Sequence, residues 1–191
     1  GADYIDAGDG NDVVLGGTGA DEIYAGTDAG ADVVLGDNGL AVFNANGILT
    51  RIQTTDYAWG GDDVIIAGGG PDVILGGAAN DHIEAGGDGA RDVVLGDDGL
   101  ATFTDAGVLV RVETTAPELG GADYIDAGGG SDVVIGGSRN DRILAGGDTG
   151  ADVILGDSGY ATFDAVAGLS LLREIGTTAP EFGGADYIDA G

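Results

Sequence analysis

The sequence has no cysteine, no lysine and no methionine, and it has one histidine and three prolines in 191 residues. Without cysteine, the chain has no disulfides and no thiolate metal sites. With three prolines against 41 glycines, collagen and proline-rich linkers are excluded. No apolar run approaches the ~18 residues that a membrane-spanning helix needs, and no signal peptide is visible. Because no methionine stands at position 1, we interpret the chain as part of a longer protein.

Positive charge is also scarce, since 34 acidic residues face 6 arginines and the net charge is −28. Such a chain repels itself unless something neutralises it. However, 43% of the residues are apolar, which is too many for a disordered acidic tail. Together these facts predict bound cations as partners. They also argue against nucleic acid, anionic membrane surfaces and membrane insertion.

The sequence repeats itself, because Gly1–Gly8 returns at Gly121–Gly128 and at Gly184–Gly191. We predict three units and the start of a fourth, together forming one continuous solenoid. Unit 1 is 1–60 (roll 1–39, hairpin 40–59), unit 2 is 61–120 (roll 61–99, hairpin 100–119), unit 3 is 121–183 (roll 121–159, hairpin 160–182), and unit 4 starts at 184–191.

Each unit contains four short turns that end in aspartate. The turn Gly16-Gly17-Thr18-Gly19-Ala20-Asp21-Glu22-Ile23-Tyr24 reads G-G-x-G-x-D-x-U-x, where U is a large aliphatic residue. The turn aspartates are spaced 9, 9 and 11 residues apart in every unit. Two residues after each one stands isoleucine or valine, which favours a short strand with one inward side chain. The thirteen turn aspartates are Asp3, Asp12, Asp21, Asp32, Asp63, Asp72, Asp81, Asp92, Asp123, Asp132, Asp141, Asp152 and Asp186.

The outward residues of these strands separate into two classes, which predicts two different sheets. Strands after the first and third aspartate of a unit (odd strands) carry mostly mixed residues, such as Glu22 and Tyr24. Strands after the second and fourth (even strands) always carry aliphatic residues, such as Val13 and Leu15. A contiguous apolar outer face of this kind needs a cover.

The last third of each unit is a candidate cover. In unit 1, a stretch at 36–39 begins like another turn, and two apolar runs then flank Asn44-Ala45-Asn46-Gly47. This pattern is typical of a β-hairpin. Two arrangements remain open: the hairpin folds back onto the apolar sheet, or it projects and the apolar sheet packs against another chain.

The turn chemistry favours calcium. Glycine leaves its backbone carbonyl uncovered, and a carboxylate beside such carbonyls is an environment of hard oxygens. Calcium takes roughly 6–8 such ligands in flexible geometry, whereas magnesium demands a tight octahedron. One turn supplies too few ligands, so we expect each ion to bridge turns n and n+2. Six other acids are candidate additional ligands: Asp28, Asp37, Asp88, Asp97, Asp148 and Asp157.

The recurring nonapeptide resembles the RTX (repeats-in-toxin, haemolysin-type) calcium-binding repeat. The resemblance covers about two thirds of the chain, and the hairpins lie outside it. It implies an all-β, right-handed parallel β-roll, several calcium ions as cofactors, calcium-dependent folding, type I secretion and an extracellular or cell-surface setting. The turns 76–81 and 136–141 depart from the motif because they lack the third glycine.

We do not predict an enzyme, because nearly every candidate residue occurs in triplicate and none forms a unique constellation. One hypothesis is a structural calcium-binding module of a large secreted or cell-surface bacterial protein, such as an adhesin, surface layer or extracellular filament, which could assemble through its apolar even-strand face. The other is the C-terminal secretion and folding module of a type I-secreted exoenzyme or toxin.

Overall fold

The computed structural model describes residues 1–191 and consists almost entirely of short strands and glycine-rich turns, with one 3₁₀ turn at Tyr57–Trp59. Most roll strands are only three or five residues long because a turn follows each one. In chain order the strands are β1 (Tyr4–Asp6), β2 (Val13–Gly17), β3 (Glu22–Tyr24), β4 (Val33–Asp37), β5 (Gly39–Phe43), β6 (Leu49–Thr54), β7 (Val64–Ile66), β8 (Val73–Gly77), β9 (His82–Glu84), β10 (Val93–Asp97), β11 (Gly99–Phe103), β12 (Leu109–Thr114), β13 (Tyr124–Asp126), β14 (Val133–Gly137), β15 (Arg142–Leu144), β16 (Val153–Asp157), β17 (Gly159–Val166), β18 (Leu169–Thr177) and β19 (Tyr187–Asp189).

Thirteen of these strands form a parallel β-roll with two sheets, as predicted. The odd sheet has seven strands in the order β1-β3-β7-β9-β13-β15-β19, and the even sheet has six in the order β2-β4-β8-β10-β14-β16. Every pairing within the two sheets is parallel, and the inward residues stand in register, as Ile5 with Ile23 and Val14 with Val34. The chain therefore alternates between the sheets at each turn.

The space between the two sheets is filled by the predicted inward residues. Ile23, Val34, Ile65 and Ile74 are fully buried there, and their equivalents in the later units join the same cluster. Alanines that follow the odd strands, such as Ala25, complete it. With about one large side chain per strand this core is thin, so apolar burial alone gives limited stability.

The hairpins form a third sheet of six antiparallel strands, in the order β5-β6-β11-β12-β17-β18. This hairpin sheet packs on the outer face of the even sheet. Leu35, Leu75 and Leu95 of the even strands share a second core with Ile52 and Val112 of the hairpins. The first of the two arrangements left open above is therefore the one observed, in which each hairpin folds back onto the apolar sheet.

We expected residues 36–39 to begin like another turn of the roll, and this prediction is wrong. Strand β4 continues to Asp37 and β5 begins at Gly39, with one residue between them. A Cβ on Gly39 would overlap the Leu35 side chain and the Gln53 carbonyl oxygen. Glycine is required here because the chain reverses directly onto the sheet that it has just left.

Candidate metal sites

The thirteen turn aspartates are assembled into two ladders, one along each edge of the roll. In the odd ladder, the backbone N–H of each aspartate donates to the Oδ1 of the next one at 2.7–2.9 Å. Its order is Asp3-Asp21-Asp63-Asp81-Asp123-Asp141-Asp186. The even ladder has the same bonds, also at 2.7–2.9 Å, in the order Asp12-Asp32-Asp72-Asp92-Asp132-Asp152. Aspartates from turns n and n+2 are therefore neighbours, as the sequence predicted.

In most of the turn aspartates, the second carboxylate oxygen has no hydrogen-bond partner. Nine turn aspartates keep a buried Oδ2 that accepts no hydrogen bond: Asp12, Asp21, Asp32, Asp63, Asp72, Asp81, Asp123, Asp132 and Asp141. A buried carboxylate oxygen without a donor or a cation is strongly unfavourable. One oxygen of each of these carboxylates is thus held in place by the backbone, and the other is left available for a ligand.

Along the odd edge, the unpaired oxygens face glycines that must remain glycine. A Cβ on Gly36 would overlap Asp63 Oδ2 and the Gly76 carbonyl oxygen, and a Cβ on Gly96 would overlap Asp123 Oδ2 and the Gly136 carbonyl oxygen. The small space beside each glycine is therefore bounded by carboxylate and carbonyl oxygens. This donor set is the one that calcium prefers, so the residues present fit the ion that the sequence indicated.

The two turns that lack the third glycine keep the conformation of the motif. Gly19 has φ 98°, and the equivalent Ala79 and Arg139 have φ 78° and 71°. Asp81 and Asp141, which follow these turns, hold their places in the odd ladder. The loss of the third glycine therefore strains the backbone, but both aspartates keep their hydrogen bonds in the ladder.

Burial and mutual repulsion disfavour the charged form of these carboxylates when no cation is near. Burial raises the pKa of Asp63, Asp92 and Asp141 to about 8. It raises the pKa of Asp81 and Asp123 well above the usual range, and the two carboxylates repel each other. A divalent cation would remove this penalty, because it replaces the lost hydration of the carboxylates.

Three of the candidate additional ligands accept hydrogen bonds from backbone N–H groups outside the two ladders. Asp37 Oδ1 accepts the Gly61 N–H at 3.1 Å, and its Oδ2 accepts the Ala78 N–H at 2.6 Å. Asp97 makes the same two bonds, to Gly121 and to Ser138, at 2.8 and 2.5 Å. Asp157 accepts the Gly184 N–H at 2.8 Å. These carboxylates hold the chain where it returns from a hairpin, which is a structural role that the sequence did not reveal.

The acids of the longer loops lie at the surface. Asp88 accepts the N–H groups of Gly70 and Ala90, both at 2.9 Å. Asp148 accepts the Gly150 N–H at 2.7 Å, and Asp28 makes one longer bond, at 3.4 Å, to Gly10. They lie beside the even ladder, where the charges of Asp88 and Asp28 add to the effect of burial in raising the pKa of Asp72, and the charge of Asp148 does the same for Asp132.

One buried carboxylate was missed by the sequence analysis. Asp98 is 1% exposed, and neither of its carboxylate oxygens accepts a hydrogen bond. The nearby hydroxyl of Thr54 is the group most able to stabilise its charge. The equivalent residues are Asn38 and Ser158, so no repeated pattern could have pointed to this position.

No three aspartate, glutamate, histidine or cysteine side chains converge on one point. Any calcium site in this chain is therefore built from few carboxylates and completed by backbone carbonyls. His82, the single histidine, lies on the outer face of the odd sheet, 3.1 Å from Glu84 and stacked on Tyr124. It faces neither ladder.

Comparison with known families agrees with this geometry. The family model for the RTX calcium-binding nonapeptide repeat matches in four copies, at residues 1–29, 60–90, 119–143 and 126–162, which together cover more than half of the chain. No curated protein matches the chain, and none of its helical segments is long or apolar enough to span a bilayer. The repeat is a structural module that binds several calcium ions, and it is typical of secreted bacterial proteins. The chain belongs to the family of RTX calcium-binding nonapeptide repeats.

Proposed function

We propose that this chain is a structural module whose fold is completed by calcium ions held along both edges of the roll. The observation that carries the proposal is the set of nine buried Oδ2 atoms without a partner. In each ladder, consecutive aspartates would hold an ion together with glycine carbonyl oxygens. All thirteen turn aspartates are assigned this role, whereas Asp37, Asp97 and Asp157 are assigned to the hairpin returns.

The chain's own residues prepare these positions in three ways. The N–H of one turn fixes the carboxylate of the next through Oδ1. Glycine leaves the carbonyl oxygens uncovered, and the inward isoleucines and valines fix the distance between turns. Calcium, when bound, supplies the positive charge that lets the carboxylates stay ionised in a buried place.

Folding should therefore depend on calcium. A net charge of −28 expands the chain, and the thin core offsets little of that repulsion. Ion binding contributes directly to the folding free energy because the unfolded chain has no preformed site. Circular dichroism tests this: we expect a coil spectrum in chelator at pH 7.5 and a cooperative gain of β-structure on addition of calcium, with magnesium as the control. An unchanged β spectrum in chelator would refute the proposal.

We further propose a structural role in a secreted or cell-surface protein, as part of an adhesin, a surface layer or an extracellular filament. Support comes from the continuity of all three sheets across the repeat units. Each unit adds two odd strands, two even strands and one hairpin, so the repeat extends the same rod. Imaging of the parent protein tests this role, which requires a straight, calcium-dependent rod. A compact catalytic domain directly beside the repeats would argue against it.

A second candidate is the secretion and folding module of an exported protein. It is favoured by the same charge, because a chain that stays unfolded without calcium is suited to export and then folds in an extracellular calcium concentration. A type I secretion assay with a fused reporter tests it, and the matched variant replaces the ladder aspartates with asparagine. Equal export and equal folding of the two fusions would exclude this role.

A further inference from the structure

Each hairpin joins the even sheet through one residue at its root, and this residue differs among the three units. The residues are Asn38, Asp98 and Ser158, and each lies between an even strand and the first strand of a hairpin. The backbone is alike at these positions. The Asp98 carbonyl oxygen accepts the Thr115 N–H at 2.7 Å, and the Ser158 carbonyl oxygen accepts the equivalent Thr178 N–H at 2.7 Å. The fold therefore holds three different side chains in one kind of position.

In the third unit, this position is occupied by neutral groups that satisfy one another. Ser158 is fully buried, and its Oγ lies 3.2 Å from the Oγ of Ser138, which follows the neighbouring even strand. Ser138 Oγ also donates to the Pro117 carbonyl oxygen at 2.7 Å. Two hydroxyl groups thus connect the root of the third hairpin to the chain that returns from the second.

In the second unit, a carboxylate stands in the same position without such partners. Asp98 is 1% exposed, and neither of its carboxylate oxygens accepts a hydrogen bond. Ala78 takes the place of Ser138 in this unit, so the neighbouring strand offers no hydroxyl. An unsatisfied buried carboxylate is strongly unfavourable. This position therefore requires either a proton on Asp98 or a cation beside it.

Other oxygen atoms at this root can serve a metal ion. Thr54, on β6 of the first hairpin, is fully buried, and its hydroxyl is the group most able to stabilise the charge of Asp98. Thr54 Oγ1 accepts one backbone N–H at 3.0 Å, which leaves a lone pair of this oxygen free. The Tyr57 carbonyl is the equivalent of the Pro117 carbonyl. The two returning segments share a conformation, since the residues before Tyr57 and Pro117 have φ 54° and 45°.

The charges around Asp98 favour a divalent cation over a proton. Burial raises the pKa of Asp98 to about 7, and the charges of Asp37, Asp97 and Glu118 act in the same direction. Both carboxylate oxygens of Asp37 are held by backbone N–H groups, as are those of Asp97. These negative charges are therefore fixed in place. A divalent cation gains twice as much as a proton from their field.

We propose that Asp98 and the Thr54 hydroxyl oxygen hold a calcium ion at the root of the second hairpin, outside both aspartate ladders. Calcium takes oxygen ligands of several kinds in flexible geometry, and the Tyr57 carbonyl oxygen is the third ligand from the chain. The ion joins the first hairpin, through Thr54, to the second unit, through Asp98. It thus clamps the hairpin sheet to the roll at a unit boundary, and it uses none of the ladder ligands.

Counting the bound ions tests the site. Asp98→Asn and Asp98→Ser introduce side chains that the fold already holds at positions 38 and 158, so both variants should fold in calcium, which circular dichroism verifies. Native mass spectrometry at saturating calcium should find one ion fewer per chain in each variant than in wild type. Asp105→Asn is the matched control, because Asp105 is exposed at the tip of the second hairpin and the substitution removes the same charge. It should bind as many ions as wild type.

Two substitutions of Thr54 test the hydroxyl ligand. Thr54→Val removes the oxygen and should release the same ion, whereas Thr54→Ser keeps the oxygen and should retain the ion. Retention of the ion by Thr54→Val would overturn the ligand set.

Three other outcomes would also contradict the site. If both Asp98 variants bind as many ions as wild type, Asp98 carries a proton and the site is overturned, while the ladder ions stand. Loss of an ion from Asp105→Asn as well would assign the effect to net charge and overturn the site. A wild-type chain that binds no calcium would overturn the site together with the proposed function.

Discussion

The two edges of the roll use one turn motif and one ladder of hydrogen bonds, but they place the aspartates in different surroundings. Along the odd edge, burial raises the pKa of Asp63 and Asp141 to about 8 and that of Asp81 and Asp123 well above the usual range. Along the even edge, burial raises the pKa of Asp132 to about 6, that of Asp72 to about 7 and that of Asp92 to about 8. The same nonapeptide therefore gives carboxylates with different energetic costs of ionisation.

The difference arises from what covers each edge. The odd edge is covered by the chain returning from the hairpins, which Asp37 and Asp97 hold in place. The even edge borders a cavity of about 650 Å³ between the ladder and the hairpin tips. Arg91 also lines this cavity, and its positive charge opposes the rise in the pKa of Asp132.

The cover that a hairpin return provides, and not the repeat motif alone, decides how strongly a site depends on its ion. A deeply buried pair of carboxylates cannot ionise without a cation. Two carboxylates that lie beside water and an arginine ionise at a lower energetic cost. Calcium at Asp81 and Asp123 should therefore contribute more to the folding free energy than calcium beside Asp132.

The largest expected effect is that of pH on metal-free protein. The carboxylates whose pKa is raised from 3.8 to between about 6 and about 8 contribute stability that is fully present below about pH 4. That stability is lost as the pH rises through 6 to 8, because the folded chain must then hold unneutralised charges. We expect metal-stripped protein to gain β-structure in circular dichroism on acidification from pH 8 to pH 4.5. A coil spectrum at both pH values would contradict this.

Substitutions at the two edges should shift this pH dependence by different amounts. Asp123→Asn removes a carboxyl with a strongly raised pKa, whereas Asp132→Asn removes one with a smaller rise. The first substitution should extend metal-free folding to higher pH than the second does. Equal shifts would mean that the two edges are equally desolvated.

The next effect is steric and concerns the glycines that border the odd ladder. In Gly96→Ala the new Cβ would overlap Asp123 Oδ2 and the Gly136 carbonyl oxygen. We expect a loss of about 3 kcal/mol or more in calcium, because overpacking and a lost ion contribute together. Gly87→Ala is the control at the even edge, since a Cβ there meets nothing within 4 Å. Urea unfolding in calcium measures both, and equal stability of the two variants would contradict the assignment.

A smaller effect is expected in the presence of calcium, where substitutions in the two ladders should change the calcium concentration at the folding midpoint by different amounts. Asp123→Asn keeps an Oδ1 that accepts the Asp81 N–H but replaces the ligand oxygen Oδ2 with an amide nitrogen, which does not bind calcium. We expect it to raise the calcium concentration at the folding midpoint about tenfold, which corresponds to ~1.4 kcal/mol. The matched Asp132→Asn should raise this midpoint less, because burial raises the pKa of Asp132 less than that of Asp123. A larger shift for Asp132→Asn would reverse the ranking of the edges.

Much of this site could be predicted from the sequence, because its geometry is local and periodic. The spacing of the turn aspartates and the β-branched residue two positions later specify which turns are neighbours. This is why both ladders match the prediction rung by rung. The two-class pattern of the outward residues also separated the odd from the even strands, and it indicated a covered face beside a mixed one.

The remaining features depend on contacts between distant segments, which no local pattern encodes. Asp37 and Asp97 were candidate ligands, but they bind backbone groups 24 and 41 residues away. The hairpin sheet is offset along the roll by one even strand, since β6 of the first hairpin contacts β8 of the second unit. The positive φ angles of Ala79 and Arg139 could not be predicted from the sequence either, because neither residue type favours positive φ.

The smallest expected effect tests those two unusual positions, which both lie on the odd edge. At the even edge, the residue two before Asp12, Asp72 and Asp132 is a glycine with positive φ, whereas at the odd edge the equivalent Ala79 has φ 78°. Ala79→Gly relieves that strain and should stabilise the protein by about 1 kcal/mol in urea unfolding with calcium. Ala78→Gly is the matched control. Ala78 is buried without positive φ, so glycine there adds chain entropy to the unfolded state, removes a buried methyl group and should destabilise the protein by about 1 kcal/mol. Equal effects of the two substitutions would show that the odd edge holds its turn without strain.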